Sequence, residues 1–232
     1  MNHPAFFQLQ ADLPHWLPDS QLVLARFDPR LLRAEDFAAC AVPMVRGVAK
    51  RQAEHLAGRL CAREALRRLC GQALLPGRDA EGVPLWPAGI CGSISHGAGR
   101  AAALVAYSRD WASLGIDLEQ RLSEERAARL ACEILTPAEL QRAARLSPQA
   151  LAERVSLTFS LKESLFKALY PLVRQRFYFQ DAELLECDAA QARLRLLIDL
   201  HLDWPAGREL DGHFRMQDDL LLSLVPISPA RR

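Results

Sequence analysis

Two short stretches hold acids and an ammonium at spacings that suit chemistry on phosphate. Gly115-Ile116-Asp117-Leu118-Glu119 puts two carboxylates at i and i+2. On a strand they share one face, because strand side chains alternate. Mg²⁺ takes hard oxygen ligands and few protein carboxylates beside phosphate oxygens. The pair is therefore a candidate metal site, although a solvated strand face has the same spelling. Phe159-Ser160-Leu161-Lys162-Glu163-Ser164-Leu165-Phe166-Lys167 puts Glu163 and Lys167 at i and i+4, on one face of a helix. The pair reads either as an ordinary ion pair, worth about 0.3–0.5 kcal/mol, or as an acid and a cation of an active site. Only three of the 29 Lys and Arg residues are lysines, Lys50, Lys162 and Lys167, and two of them fall in this stretch. Lysine brings a compact, rotatable ammonium where arginine brings a fixed fork.

Two further groups could bind phosphate. Gly92-Ser93-Ile94-Ser95-His96-Gly97-Ala98-Gly99 reads as a glycine-rich loop. Its hydroxyls, imidazole and backbone N–H groups could cradle an anion, or it is a plain turn. Lys50-Arg51, then Arg59 and Arg63, line a helical stretch. Arg51 and Arg59 lie two turns apart near one face, as a phosphate clamp or as a solvated helix face. Two other patterns are weaker in chemistry. Gly97-x-Gly99-x-x-Ala102 with a later Asp117 spells a relaxed dinucleotide fingerprint. The span from Ala102 to Leu114 is too short for the helix and strand such a fingerprint needs. Ser95 invites a hydrolase reading, but Ser93 stands where a nucleophile elbow wants glycine, and the adjacent His96 is poorly placed as its base.

These residues need elements to position them. Residues 1–45, rich in proline, read as an irregular lead-in with a strand at Leu22–Ala25. The spacing of Leu56, Leu60, Ala65, Leu66 and Leu69 predicts a helix over Val48–Leu69, stopped by Gly71. Ala101–Tyr107 and Ala112–Glu119 read as strands joined by a turn at Ser108-Arg109-Asp110. Glu124–Leu146 reads as helix interrupted at Thr136-Pro137, where Thr136 is an N-cap, Pro137 the first helical residue and Glu139 the capping partner. A helix over Leu151–Leu169 is expected to stop before Pro171. Arg193–Leu200, Gly212–Met216 and Leu220–Val225 read as strands. The order is α+β or α/β, with a long helix preceding strands twice. That suggests two half-domains of similar build, breaking near 110–120.

Composition narrows the class. Hydrophobic residues make up 50% and charged residues 25% of the 232, as in a globular chain. A net charge of +1 excludes a nucleic-acid binder that works by bulk charge. No targeting segment or membrane span is expected. The six cysteines form no C-x-x-C and no zinc-finger spacing with histidine. A cytoplasmic protein is the expectation.

Together the motifs resemble the Sfp-type 4′-phosphopantetheinyl transferases, in the subgroup typified by the D component of enterobactin synthetase. The resemblance covers Val48 to Val225. It rests on Gly115–Glu119 and Phe159–Lys167, preceded by Lys50-Arg51, Gly58-Arg59-Leu60-Cys61-Ala62-Arg63 and Ser95-His96 in the family's order. It implies an α+β fold of two similar halves, 1–114 and 115–232, each with a small sheet on a long helix and the active site between them. It implies transfer of the 4′-phosphopantetheine arm of coenzyme A to a serine of an apo acyl or peptidyl carrier protein, releasing adenosine 3′,5′-bisphosphate. Fatty-acid, polyketide and nonribosomal-peptide carriers, including those of siderophore synthesis, are all compatible. Asp117, Glu119 and Glu163 would hold Mg²⁺, Glu163 would act as base, and Lys167 would neutralise the pyrophosphate. Lys50, Arg51, Arg59, Ser95 and His96 would bind the phosphates of coenzyme A. Phe159 replaces a tryptophan common among relatives. Glu81-Gly82-Val83-Pro84 lacks their basic residue, with Arg78 nearby. Ile134, Leu135 and Leu140 are candidates for docking the carrier. A monomer is expected. The alternatives are a non-catalytic CoA- or nucleotide-binding module, and a serine hydrolase centred on Ser95.

Overall fold

The computed structural model describes residues 3–10 and 16–229. The chain divides into two compact units, one of Met1–Leu114 with Ile227–Arg232, the other of Gly115–Pro226.

The proline-rich lead-in is more regular than the sequence suggests. It forms β1 (Phe7–Leu9), β2 (Ser20–Phe27) and a short helix, α1 (Ala34–Ala39). Pro4, Pro18, Pro29 and Pro43 lie outside these elements, where no ladder N–H is needed. The long helix α2 spans Ala49–Cys70 and ends on Gly71, whose φ of 76° is left-handed and suits glycine. A two-residue ribbon follows, β3 (Gly77–Arg78) with β4 (Pro84–Leu85), then β5 (Ile90–Gly97) and β6 (Arg100–Tyr107). The four-stranded sheet runs β1-β2-β6-β5 with antiparallel pairings. α2 packs Ala53, Leu56, Leu60 and Ala65 onto Val23, Ala25, Ala103 and Val105 of that sheet.

The glycine-rich stretch Gly92–Gly99 is therefore a correction. It is strand for most of its length, with a tight turn at Ala98 and Gly99 that leads into an antiparallel neighbour. An antiparallel hairpin also removes the dinucleotide fingerprint, which requires a parallel crossover.

The second unit begins within β7 (Ser113–Gln120). It continues with α3 (Glu124–Ile134), α4 (Pro137–Ala143) and α5 (Pro148–Val173). The strands β8 (Ala182–Cys187), β9 (Gln191–Leu196), β10 (Glu209–Gln217) and β11 (Leu220–Ile227) complete a five-stranded sheet ordered β7-β11-β10-β9-β8. The break at Thr136 is a capping box: Thr136 Oγ1 accepts from the Glu139 N–H, and the Glu139 carboxylate accepts from the Thr136 N–H. α5 is longer than the sequence suggests and runs through Pro171, with Arg174 closing it in the left-handed region. The missing proline N–H costs one bond to the Lys167 carbonyl, which is tolerable in a last turn whose carbonyls have few helical partners. β8 had no alternating signal strong enough to show in the sequence, and a bulge between Leu184 and Glu186 accounts for part of that.

Ile134 and Leu135 are buried in the core between α3, α4 and α5, and Leu140 packs against them. Ile134 and Leu135 hold the helices together and offer no exposed face for a partner, whereas Leu140 is only partly buried. No helix of the described residues is long and apolar enough to cross a membrane.

Candidate active site

The Gly-x-Asp-x-Glu strand works as one mechanical unit. Gly115, Asp117 and Glu119 share a face of β7, and that face lies on α5. A Cβ at Gly115 would fall 1.9 Å from the Ser164 carbonyl oxygen and 2.5 Å from the Ala168 nitrogen. Only glycine allows so close an approach of strand to helix backbone. The approach brings Asp117 against the helix. Its Oδ1 accepts from Lys167 Nζ at 2.6 Å, and its Oδ2 accepts from Ser160 Oγ at 3.0 Å. Asp117 is thus buried rather than on a solvated face, while Ile116 and Leu118 fill the core on the other side.

The acids strain against one another. Burial first, then repulsion by Asp117 and Glu163, pushes Glu119 up to about 7, with Lys167 and Arg126 only partly opposing this. Glu163 is also raised, by burial and by Asp117, against the pull of Lys167. The carboxylates of Asp117, Glu119 and Glu163 are hard oxygen donors, the type a divalent cation such as Mg²⁺ takes. Among the described residues, no three His, Cys, Asp or Glu side chains already gather as a metal cluster. Asp117 meets the Lys167 ammonium instead.

The two lysines of the helix motif have separate tasks. Lys162 is buried and donates to Glu139 Oε2 at 2.7 Å and to the carbonyls of Ile134 and Phe179, both at 2.8 Å. Glu139 also accepts from the Leu184 N–H at 2.6 Å, so one carboxylate ties α4 to β8 and α5. Lys162 is therefore a structural cation that joins α3, α5 and the chain before β8. Phe159 stacks obliquely on Phe179, with ring centres 5.3 Å apart.

The predicted phosphate ligands lie in the first unit. Arg51 is exposed near the start of α2. Lys50 Nζ and His96 Nδ1 approach the Glu54 carboxylate at 3.9 and 3.8 Å. Arg59 does not share the exposure of Arg51: it is 8% exposed, and its Nη1 donates to the carbonyls of Pro76 and Gly77 at 2.7 and 2.9 Å. It pins the ribbon that carries Arg78, whose Nε donates to the Gly82 carbonyl at 3.0 Å. Ser95 is buried on β5, and His96 follows on the opposite face. A buried serine whose neighbouring imidazole points the other way is not a hydrolase nucleophile and base.

His55 was missed by the sequence reading. Burial, then Arg59, Arg78 and His96, push it down to about 4. The four-residue spacing of Arg51, His55 and Arg59 on one helix face was the available signal. The serines behind Asp117 were missed as well, since a serine in a helix gives no hint of a partner on a distant strand.

Comparison with known proteins agrees with this architecture. Residues 39–106 match the 4′-phosphopantetheinyl transferase N-terminal domain, and residues 113–224 match the 4′-phosphopantetheinyl transferase superfamily. The chain is 39% identical over 212 residues to the 4′-phosphopantetheinyl transferase Svp of Streptomyces mobaraensis, covering 88% of this chain and 81% of that one. It is 45% identical over 120 residues to enterobactin synthase component D of Salmonella typhimurium, covering 51% of this chain and 48% of the relative. The corresponding Escherichia coli K12 protein is 42% identical over 119 residues, covering 51% and 55%. The alignments thus span about half the length of these enterobactin relatives. With both units matched in order and a relative aligned over most of its length, the chain belongs to the 4′-phosphopantetheinyl transferase superfamily and is an enzyme of that kind.

Proposed function

We propose that the enzyme moves the 4′-phosphopantetheine arm of coenzyme A to a serine hydroxyl of an apo acyl or peptidyl carrier protein. The observation that carries this reading is the acids of β7 and α5: Asp117 is buried against Lys167, and the half-buried Glu119 and Glu163 are both raised by burial and by the charge of Asp117. Asp117, Glu119 and Glu163 would hold Mg²⁺, once Lys167 turns from Asp117 to the substrate. The cation, when bound, supplies charge neutralisation on a pyrophosphate.

Phosphoryl transfer is mainly positioning and charge neutralisation, and the protein's own groups divide that work. Glu163, directly or through water, takes the proton from the carrier serine as its oxygen bonds to phosphorus. A carboxylate within reach of the serine proton can act as its base. The P–O bond to adenosine 3′,5′-bisphosphate breaks, and Lys167 neutralises the charge that the leaving phosphate gains. Lys50, Arg51 and His96 contact the phosphates of coenzyme A, with Ser95 and Arg59 contributing from β5 and α2. His55, kept neutral among three basic side chains, adds a donor or acceptor to that group.

One chain carries both groups of residues, which fits a monomer working where coenzyme A is made, in the cytoplasm. The names of the enterobactin relatives favour a carrier in siderophore synthesis. Coenzyme A, Mg²⁺ and an apo carrier are mixed with the enzyme, and the carrier's mass is measured. A gain of one phosphopantetheine that EDTA abolishes is expected. No gain on fatty-acid or peptidyl carriers would leave a coenzyme A-binding module as the reading.

A further inference from the structure

Behind Asp117 lies a chain of three hydroxyls that the catalytic reading does not use. Ser160 and Ser164 are four apart on α5 and share a face, and Ser223 sits on β11, the neighbour of β7. All three are wholly buried. Ser160 Oγ is 3.0 Å from Asp117 Oδ2, Ser223 Oγ is 2.7 Å from Ser160 Oγ, and Ser164 Oγ is 2.8 Å from Ser223 Oγ.

The direction of every proton follows from the first contact. Ser160 donates its hydroxyl proton to Asp117 Oδ2. A hydroxyl has one proton, so Ser160 must accept from Ser223. Ser223 has then spent its proton and must accept from Ser164. A helix serine would ordinarily turn back to the carbonyl four residues earlier, as Ser156 does to Ala152 at 2.7 Å. Ser160 and Ser164 instead point across to the strands.

We infer that Ser160, Ser223 and Ser164 are positioning residues that hold Asp117 by Oδ2, so that Oδ1 is the edge presented to Lys167 and to a cation. The inference rests on the reading of Asp117 as a metal ligand. Chains of hydroxyls polarise in one direction, and a carboxylate held at one oxygen loses the freedom to rotate. Groups that orient a metal ligand from behind typically change metal affinity by about 10- to 100-fold when removed.

The test measures Mn²⁺ binding to the CoA-free full-length protein by electron paramagnetic resonance, with thermal melts alongside. Asp117→Asn, Ser160→Ala, Ser223→Ala and Ser164→Ala are compared with wild type. The expected losses of affinity fall in the order Asp117, Ser160, Ser223, Ser164, with about tenfold or more at Ser160. Ser160→Thr, which keeps the hydroxyl, should recover most of it. Serine variants that lower the melting temperature but bind Mn²⁺ within twofold of wild type, while Asp117→Asn is weakened, would overturn the positioning role alone. Asp117→Asn binding Mn²⁺ as wild type does would remove the metal reading and the inference with it. Should Ser160→Ala not fold, Ser223→Ala and Ser164→Ala carry the same comparison further from the carboxylate.

Discussion

Each unit gathers charge of one sign, and the two gatherings are built differently. In the second unit, burial first, and then repulsion from neighbouring acids, raises Glu119 and Glu163. In the first, His55 lies among Arg59, Arg78 and His96, and burial with their charge lowers it to about 4. Asp117, the buried acid, is held by side chains, namely a lysine and a row of buried serines. The bases are organised by backbone carbonyls and one glutamate. Like charges held together cost stability, and a bound ligand of opposite sign, as proposed for each group, would offset that cost. The serine partners of Asp117 are wholly buried, whereas the basic group includes exposed side chains such as Arg51.

The largest expected effect comes from removing the proposed base. Glu163→Gln should reduce transfer about a thousandfold while coenzyme A still binds, which single-turnover assays and calorimetry separate. Turnover near wild type would take the base role from Glu163.

The two lysines sharpen the contrast within one helix. Lys167→Ala should slow transfer by about a hundredfold, with a loss of stability as well because the buried Asp117 loses its ammonium, and a change in rate below about threefold would return it to an ordinary ion pair. Lys162→Met should cost stability and leave the rate of the folded enzyme near wild type. It leaves Glu139 charged and buried without its partner, at about 3–5 kcal/mol of stability, measured by urea denaturation. If Lys162→Met instead lost activity at full stability, the separation of tasks would be wrong.

The basic group breaks along exposure. Arg51→Ala should raise KM for coenzyme A by about tenfold, or ~1.4 kcal/mol, and leave the melting temperature unchanged. Arg59→Met should also loosen the 76–85 ribbon, because two carbonyls lose their donor, at about 1–3 kcal/mol. Hydrogen exchange in that ribbon distinguishes the two. Unchanged protection in Arg59→Met would show that the carbonyl contacts do not hold it.

The smallest effect is in pH. Glu119 rises from its ordinary 4.5 to about 7 in the fold, so the folded protein keeps a proton that the unfolded chain releases. The stability from that proton is complete below the unfolded value and is lost as pH rises through about 7. The metal-free protein should melt lower at about pH 8.5 than at about pH 5, and Glu119→Gln should flatten the difference. An unchanged slope in that variant would assign it to other groups.

What the amino-acid sequence determined by itself is local. The Thr136–Glu139 capping box, the stop at Gly71 and the apolar stripe of α2 depend on residues within a turn or two, and all are visible as spacing. The spacing of Gly115, Asp117 and Glu119, and of Glu163 and Lys167, is visible for the same reason. Family resemblance added their joint meaning. Tertiary structure decided what no spacing carries. Gly115 matters because α5 lies against it, Lys162 is structural because Glu139 and two carbonyls surround it, and Arg59 turns to a ribbon rather than to solvent. Ser93 and Ser95 sit in a strand because β6 pairs with it. Ser223 meets Ser160 across 63 residues of sequence, and Ser160 in turn holds Asp117. Burial, and hence the charge a group prefers, is set by neighbours distant in the chain, and that is why the acids' chemistry emerged only from the fold.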